Sequence, residues 1–245
     1  MARDTVVIKS FMNNEINFVV DYFKSDFPVA KPPFSTTERT VFTYKPDSFF
    51  AVNRSAGILK LVMPSKGFYH IITEKETKDG LTLFSTDPSF PGIKDENEMI
   101  RCIRYITNNE EYNGLMNSPN KKLAIDEFWK ERGGSNERAK ELLRKYYSRV
   151  QQANKLFTSF QSGWQTDRGM IYIVFGPPTK MYKYANNETW VYGIETQTNA
   201  IRFTFVKVIN PFSENDFILE RNEYHKYPWH LAVSAWKDGH VFMDN

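Results

Sequence analysis

The chain has 245 residues, 41% apolar and 25% charged, a globular balance that excludes a disordered or collagen-like polymer. Lys and Arg total 32 against 29 Asp and Glu, and the resulting +3 is too small for the footprint of a nucleic-acid binder. A single cysteine, Cys102, excludes an internal disulfide and a multi-thiolate zinc cluster.

Met1 to Phe11 has no apolar core and no lipid-attachment cysteine, so it does not read as an export signal. No stretch approaches the ~20 apolar residues of a membrane-spanning helix. A strand begins almost at once, and the chain is therefore expected to be a segment of a longer protein.

Up to about residue 90, short β-like runs alternate with turn residues. Val6 to Lys9, Ile16 to Phe23, Arg39 to Tyr44, Gly57 to Met63, Phe68 to Thr73 and Leu81 to Ser85 are the expected strands. Asn13-Asn14, Pro32-Pro33, Pro46-Asp47, Pro64 to Gly67 and Lys78-Asp79-Gly80 punctuate them. The loops before Phe68 and at Asp79-Gly80 suit hairpins. Short strands at regular spacing predict an Ig-like antiparallel β-sandwich over residues 1–90.

Pro88, Pro91 and Gly92 mark a linker into an α+β domain over residues 91–245. Asp95 or Asn97 caps a helix carrying Met99, Ile100, Ile103 and Ile106. Ser118-Pro119 predicts a second start, and Gly133-Gly134 its end. From Asn136 to Phe157, Ala139, Leu142, Leu143, Tyr146, Val150, Ala153 and Phe157 recur at helical spacing. The opposite face, with Lys140, Arg144 and Lys155, is a solvated surface.

Strands are then expected at Met170 to Phe175, apolar on both faces and so central in its sheet, at Thr189 to Tyr192, at Ala200 to Val208 and at Asp216 to Glu220. Tyr224 to Asn245 reads as an aromatic, irregular tail, with Tyr224, Tyr227, Trp229 and Trp236 docked on the protein itself or on a partner.

The most distinctive segment is Gly163-Trp164-Gln165-Thr166-Asp167-Arg168-Gly169. It is followed by Met170 to Phe175, by Gly176-Pro177-Pro178, and by Trp190-Val191-Tyr192. Together with Arg104-Tyr105-Ile106, Phe128-Trp129 and Tyr147 to Val150 upstream, this order resembles the GWxTD domain family. The resemblance implies a protein of the bacterial cell envelope, mainly of Bacteroidetes, periplasmic or outer-membrane associated. It implies a lipoprotein-like or exported parent, and the partners then expected are other envelope proteins. It supplies no reaction, cofactor or catalytic residue.

Physically, the motif is expected to fix a helix–turn–strand junction. Gly163 ends a helical region in the left-handed conformation, Trp164 plugs helix against sheet, Thr166 and Asp167 bond a tight turn, and Gly169 supplies positive φ. Gly176 and Pro177 stop the strand, and Trp190 and Tyr192 cover the helix. A second reading has Asp167, Arg168 and Tyr172 lining a ligand or peptide site.

No nucleophile elbow, phosphate loop, dinucleotide fingerprint or metal pair is present. His70, His225, His230 and His240 read as scattered surface or interface residues, and Cys102 as a small buried hydrophobe. The leading expectation is a non-enzymatic envelope scaffold or interaction protein with no cofactor, no metal and no nucleic-acid partner. The rivals are an envelope-polymer hydrolase using carboxylates near Asp167 and a carbohydrate-binding module.

Overall fold

Alternation in the first part of the chain builds two antiparallel sheets. The computed structural model describes residues 4–9, 18–36, 44–52, 58–72 and 79–242. Strand β1 (Asp4–Lys9) pairs with β4 (Ile58–Met63). Strands β2 (Phe18–Phe23), β3 (Ser48–Val52), β5 (Gly67–Ile72) and β6 (Leu81–Ser85) form a second sheet in the order β3-β2-β5-β6. Strand β4 turns Leu59, Leu61 and Met63 inward, where they share one apolar cluster with Val20, Tyr69 and Ile71 of the second sheet.

All six residues of β5 are buried, because both of its faces are covered. Tyr69 and Ile71 face β4, while Phe68 and His70 pack on Phe212 at ring separations of 5.0 Å each. Phe23, Phe27, Phe68, Phe160 and Phe212 form an aromatic cluster that joins this sheet to the rest of the chain.

The remainder is mixed α and β. Helices α1 (Glu96–Ile103), α2 (Asn109–Asn117), α3 (Lys121–Gly133) and α4 (Asn136–Phe157) come first, followed by α5 (Asp167–Phe175). Strands β7 (Lys180–Lys183), β8 (Asn187–Tyr192), β9 (Ile201–Lys207) and β10 (Phe217–Leu219) make an antiparallel sheet in the order β10-β9-β8-β7. Helix α6 (Lys226–Lys237) closes the described chain. The apolar stripe of α4, one face of the sheet (Trp190, Phe203, Phe205) and the Met170–Phe175 part of α5 share the main core.

Several elements differ from the sequence reading. Met170 to Phe175 is helical: it belongs to α5, which is buried on nearly every side. Such a helix is apolar all round and lacks the amphipathic period that distinguishes a helix from a buried strand. Asn120, not Ser118, caps α3 through the Leu123 N–H, while Ser118 closes α2. Strands β3 and β7 and helix α2 have no counterpart in the sequence reading.

Strands β4 and β5 belong to different sheets, so the loop before Phe68 is a crossover and not a hairpin. Gly67 sits there at φ 145°, pressed against the Phe23 backbone. Tyr224 to Asn245 is not irregular: within its described part, α6 buries Trp229, Ala232 and Trp236. His70 is buried and bonded to Thr82 (2.9 Å). The Arg39–Tyr44 strand falls outside the described residues except Tyr44, which is not in a strand.

Candidate functional site

Everything distinctive about the sequence gathers around α5. Helix α4 ends at Phe157, and after five residues a single 3-10 turn, Gly163–Gln165, leads into α5. Gly163 is glycine because any Cβ would run into the Ala153 carbonyl of α4. Its φ is not positive, contrary to the expected left-handed cap. Asn154 of α4 completes the contact: its side-chain oxygen accepts the Trp164 N–H (3.0 Å), and its amide donates to the Pro91 carbonyl (2.9 Å). The Trp164 ring is buried against Tyr105, whose hydroxyl donates to the Trp164 carbonyl (2.8 Å).

Thr166 is the N-cap of α5. Its Oγ1 accepts the Gly169 N–H (3.0 Å) and donates to the Gly163 carbonyl (2.8 Å). Gly169 is therefore helical; a Cβ there would strike the Gly163 carbonyl, and no positive φ is involved.

Asp167 and Arg168 point in different directions from the first turn of α5, and both are buried. Asp167 accepts from the Leu219 N–H of β10 (2.9 Å) and from both Nη atoms of Arg221 (2.5 and 3.1 Å). Arg168 donates to the carbonyl and side-chain oxygen of Asn215 (2.8 and 2.5 Å), pairs with Glu188 at 3.4 Å and lies over the Phe217 ring at 4.1 Å. Burial pushes the Arg168 guanidinium below the usual arginine range, and Glu188 opposes this. Glu188 also accepts the Trp190 indole N–H (3.2 Å).

The far end of α5 is capped as completely. Arg149 donates to the carbonyls of Ile173 (3.1 Å) and Val174 (3.2 Å), and the Trp236 indole to Val174 (3.0 Å). The Tyr192 hydroxyl donates to the Gly176 carbonyl (2.8 Å). Gly176 adopts φ 87°, and a Cβ would stand 2.6 Å from Arg149. Of the motif residues, Gly163, Trp164, Thr166, Asp167, Arg168, Gly169, Gly176, Trp190 and Tyr192 are buried around this helix, whereas Pro177 is exposed. Tyr172 lies one turn after Arg168, and both pack on the Phe157 ring (5.6 and 5.1 Å), away from the bonds that Asp167 makes to β10 and Arg221.

The motif also reaches a segment far away in sequence. Residues 24–32 run across the α+β part without helix or strand, and Pro32–Ser35 then closes as a turn. Three carbonyls of this strap are held. Phe27 O accepts from Gln165 (2.6 Å) and Arg101 (3.0 Å), and Lys31 O accepts from Arg221 (3.0 Å). Pro33 O accepts the Asn222 N–H (3.0 Å) and faces His225 Nδ1 at 3.3 Å. Val29, Ala30 and Phe34 pack on the main core. The variable position of the motif, Gln165, thus holds the strap directly, and Asp167 holds it through Arg221. Sequence reasoning missed Arg221 because a lone arginine 54 residues after Asp167 carries no local signal.

Beyond the end of the strap lies a cleft of about 760 Å³. Its lining includes Arg202, Thr204, Asn222, Tyr224, Tyr227 and Leu231. Among the described residues, no three His, Cys, Asp or Glu side chains stand close enough to hold a metal ion, and no helix is long and apolar enough to cross a membrane.

A family model described as GWxTD domain matches residues 67–238, more than half of the chain. No curated protein and no solved structure matches it.

Proposed function

Since the chain belongs to the GWxTD domain family, we propose that it is a non-enzymatic interaction component of the bacterial cell envelope. In this reading an Ig-like β unit (1–90) and an α+β unit (91–245) act as one scaffold, periplasmic or outer-membrane associated, that binds other envelope proteins.

The observation that carries the reading is the use made of the signature. Gly163 and Gly169 permit close backbone contact, and Thr166 caps α5. Gln165 and the Asp167–Arg221 pair clasp the strap. These residues are spent on architecture, so recognition falls to the exposed surface. Asp167 receives three hydrogen bonds, two of them from the Arg221 guanidinium, an arrangement suited to positioning and not to proton transfer at a substrate. That favours the scaffold over a hydrolase built on Asp167.

The test is affinity capture of the full-length protein from its native envelope, followed by mass spectrometry and fractionation. Stoichiometric recovery of one envelope protein is expected. Recovery alone, with turnover of a cell-wall polymer, would overturn the reading in favour of the hydrolase.

A further inference from the structure

The strap and the cleft beside it share residues. Arg221, Asn222 and His225 line the cleft, and the same three hold the carbonyls of Lys31 and Pro33. The cleft therefore continues a track that already binds a proline-containing polypeptide in cis, one without helix or strand that turns at Pro32–Ser35 where it meets the cleft. We propose that the open part of this track takes a proline-containing segment of a partner protein, held by its carbonyl oxygens. The proposal rests on the interaction reading above and gives that interaction a site and a ligand class.

The chemistry follows from what proline offers. Prolines fix φ and remove the N–H, so such a segment presents carbonyl oxygens and flat apolar rings. Its receptor must supply donors and aromatic surface. The occupied part of the track supplies the donors, with Gln165, Arg101, Arg221 and the Asn222 N–H.

The open part repeats the pattern. Arg202 spends one guanidinium N–H on the Glu195 carbonyl (2.7 Å), which fixes the side chain at the cleft wall with further N–H groups to donate. The Asn222 side-chain oxygen accepts the Tyr224 N–H (3.0 Å), which leaves its NH₂ as the donor. Tyr224, in the 3-10 turn before α6, and Tyr227, in the first turn of α6, are 86% and 73% exposed, while Trp229 and Trp236 of α6 are buried. Exposed tyrosines with Arg and Asn beside them match the residue types that dominate protein-recognition surfaces. The volume, about 760 Å³, lies within the roughly 300–1,000 Å³ range of ligand clefts.

The experiment titrates the isotope-labelled full chain with an eight-residue peptide, Pro-Pro-Phe-Ser repeated twice, up to about 1 mM. The same peptide with glycine for proline, and chitohexaose, are run in parallel. Amide shifts confined to residues 198–204 and 220–231 are expected with the proline peptide. The doubly substituted Tyr224→Ala/Tyr227→Ala protein should bind at least ~10-fold more weakly with an unchanged melting temperature, since both rings are exposed. Four results would overturn the proposal: no shifts with the proline peptide, equal binding of the glycine peptide, a response to the sugar alone, or shifts along Phe27 to Pro33 in place of the cleft. An envelope partner captured equally well by the double variant would overturn this site while leaving the interaction reading standing.

Discussion

Asp167 and Arg221 form a two-pronged ion pair across 54 residues of sequence, with Nη2 2.5 Å from Oδ1 and Nη1 3.1 Å from Oδ2. The pair joins the first turn of α5 to the strap, because the same Nη2 donates to the Lys31 carbonyl. Both side chains are largely out of solvent, at 8% and 19% exposure.

Removing one partner leaves the other buried without its counter-charge, which costs about 3–5 kcal/mol in fully buried pairs. Asp167→Asn and Arg221→Gln are each expected to lose roughly 2–4 kcal/mol, since Arg221 keeps some solvent contact. The double variant should lose clearly less than the sum. Urea unfolding of the four proteins measures this; simple additivity would mean that the two residues act separately.

Thr166 supplies a cap and Gly169 supplies clearance at the same turn. Thr166→Ser keeps the oxygen and should be nearly neutral, whereas Thr166→Ala should cost about 1 kcal/mol. Gly169→Ala must push the Gly163 carbonyl aside and should destabilise more than Thr166→Ala, although alanine is the better helix former. Thermal melts of the three variants rank them. A Gly169→Ala protein as stable as the parent would show that the two turns are not packed this closely.

Elements with a clear period or bounding turns were legible in the sequence, β5 among them although all six of its residues are buried, whereas the all-round apolar α5 and elements that bury little were not. The α4 stripe from Ala139 to Phe157 repeats at 3.6 residues, and its predicted span matches the helix. Strand β7 exposes all four residues and so lacks alternation. Helix α2 is mostly polar; its available signal was the capping box in which Asn108 and Glu111 bond each other's backbone N–H groups. Pro228 and the crowded aromatics disguised α6, yet proline in the first turn of a helix costs little. The motif residues stand out in the sequence, but their partners Arg221, Arg149, Asn215 and Phe27 lie 24 to 138 residues away along the chain. No local pattern connects them.

Glu98, on α1, has its carboxyl raised above the ordinary value by burial, against the opposing pull of the Trp164 indole N–H and then of Arg101. A carboxyl with a higher pKa folded than unfolded keeps its proton longer in the native state. Its contribution to stability is therefore largest below the unfolded pKa and is lost as pH rises through the folded one. Glu98→Gln stays neutral throughout, so it should be more stable than the parent at pH 7 and closely similar near pH 4. Melting curves at the two pH values check this. A variant less stable at pH 7 would mean that the charged carboxylate makes a favourable contact there.

Gln165 offers the most direct view of the strap, because its amide donates to the Phe27 carbonyl at 2.6 Å from inside the core. Gln165→Leu keeps similar bulk but removes this donor, while Arg101 still donates to the carbonyl. One lost hydrogen bond to a buried acceptor costs about 1–3 kcal/mol. The cost should fall mainly on the strap, since α4 and α5 keep their other bonds. Hydrogen exchange should therefore speed up at the strap and at the Asn222 N–H, which donates to Pro33, while protection in α4 changes little. Equal loss of protection in α4 and the strap would show that the two open together, and that Gln165 supports the whole core and not the clasp.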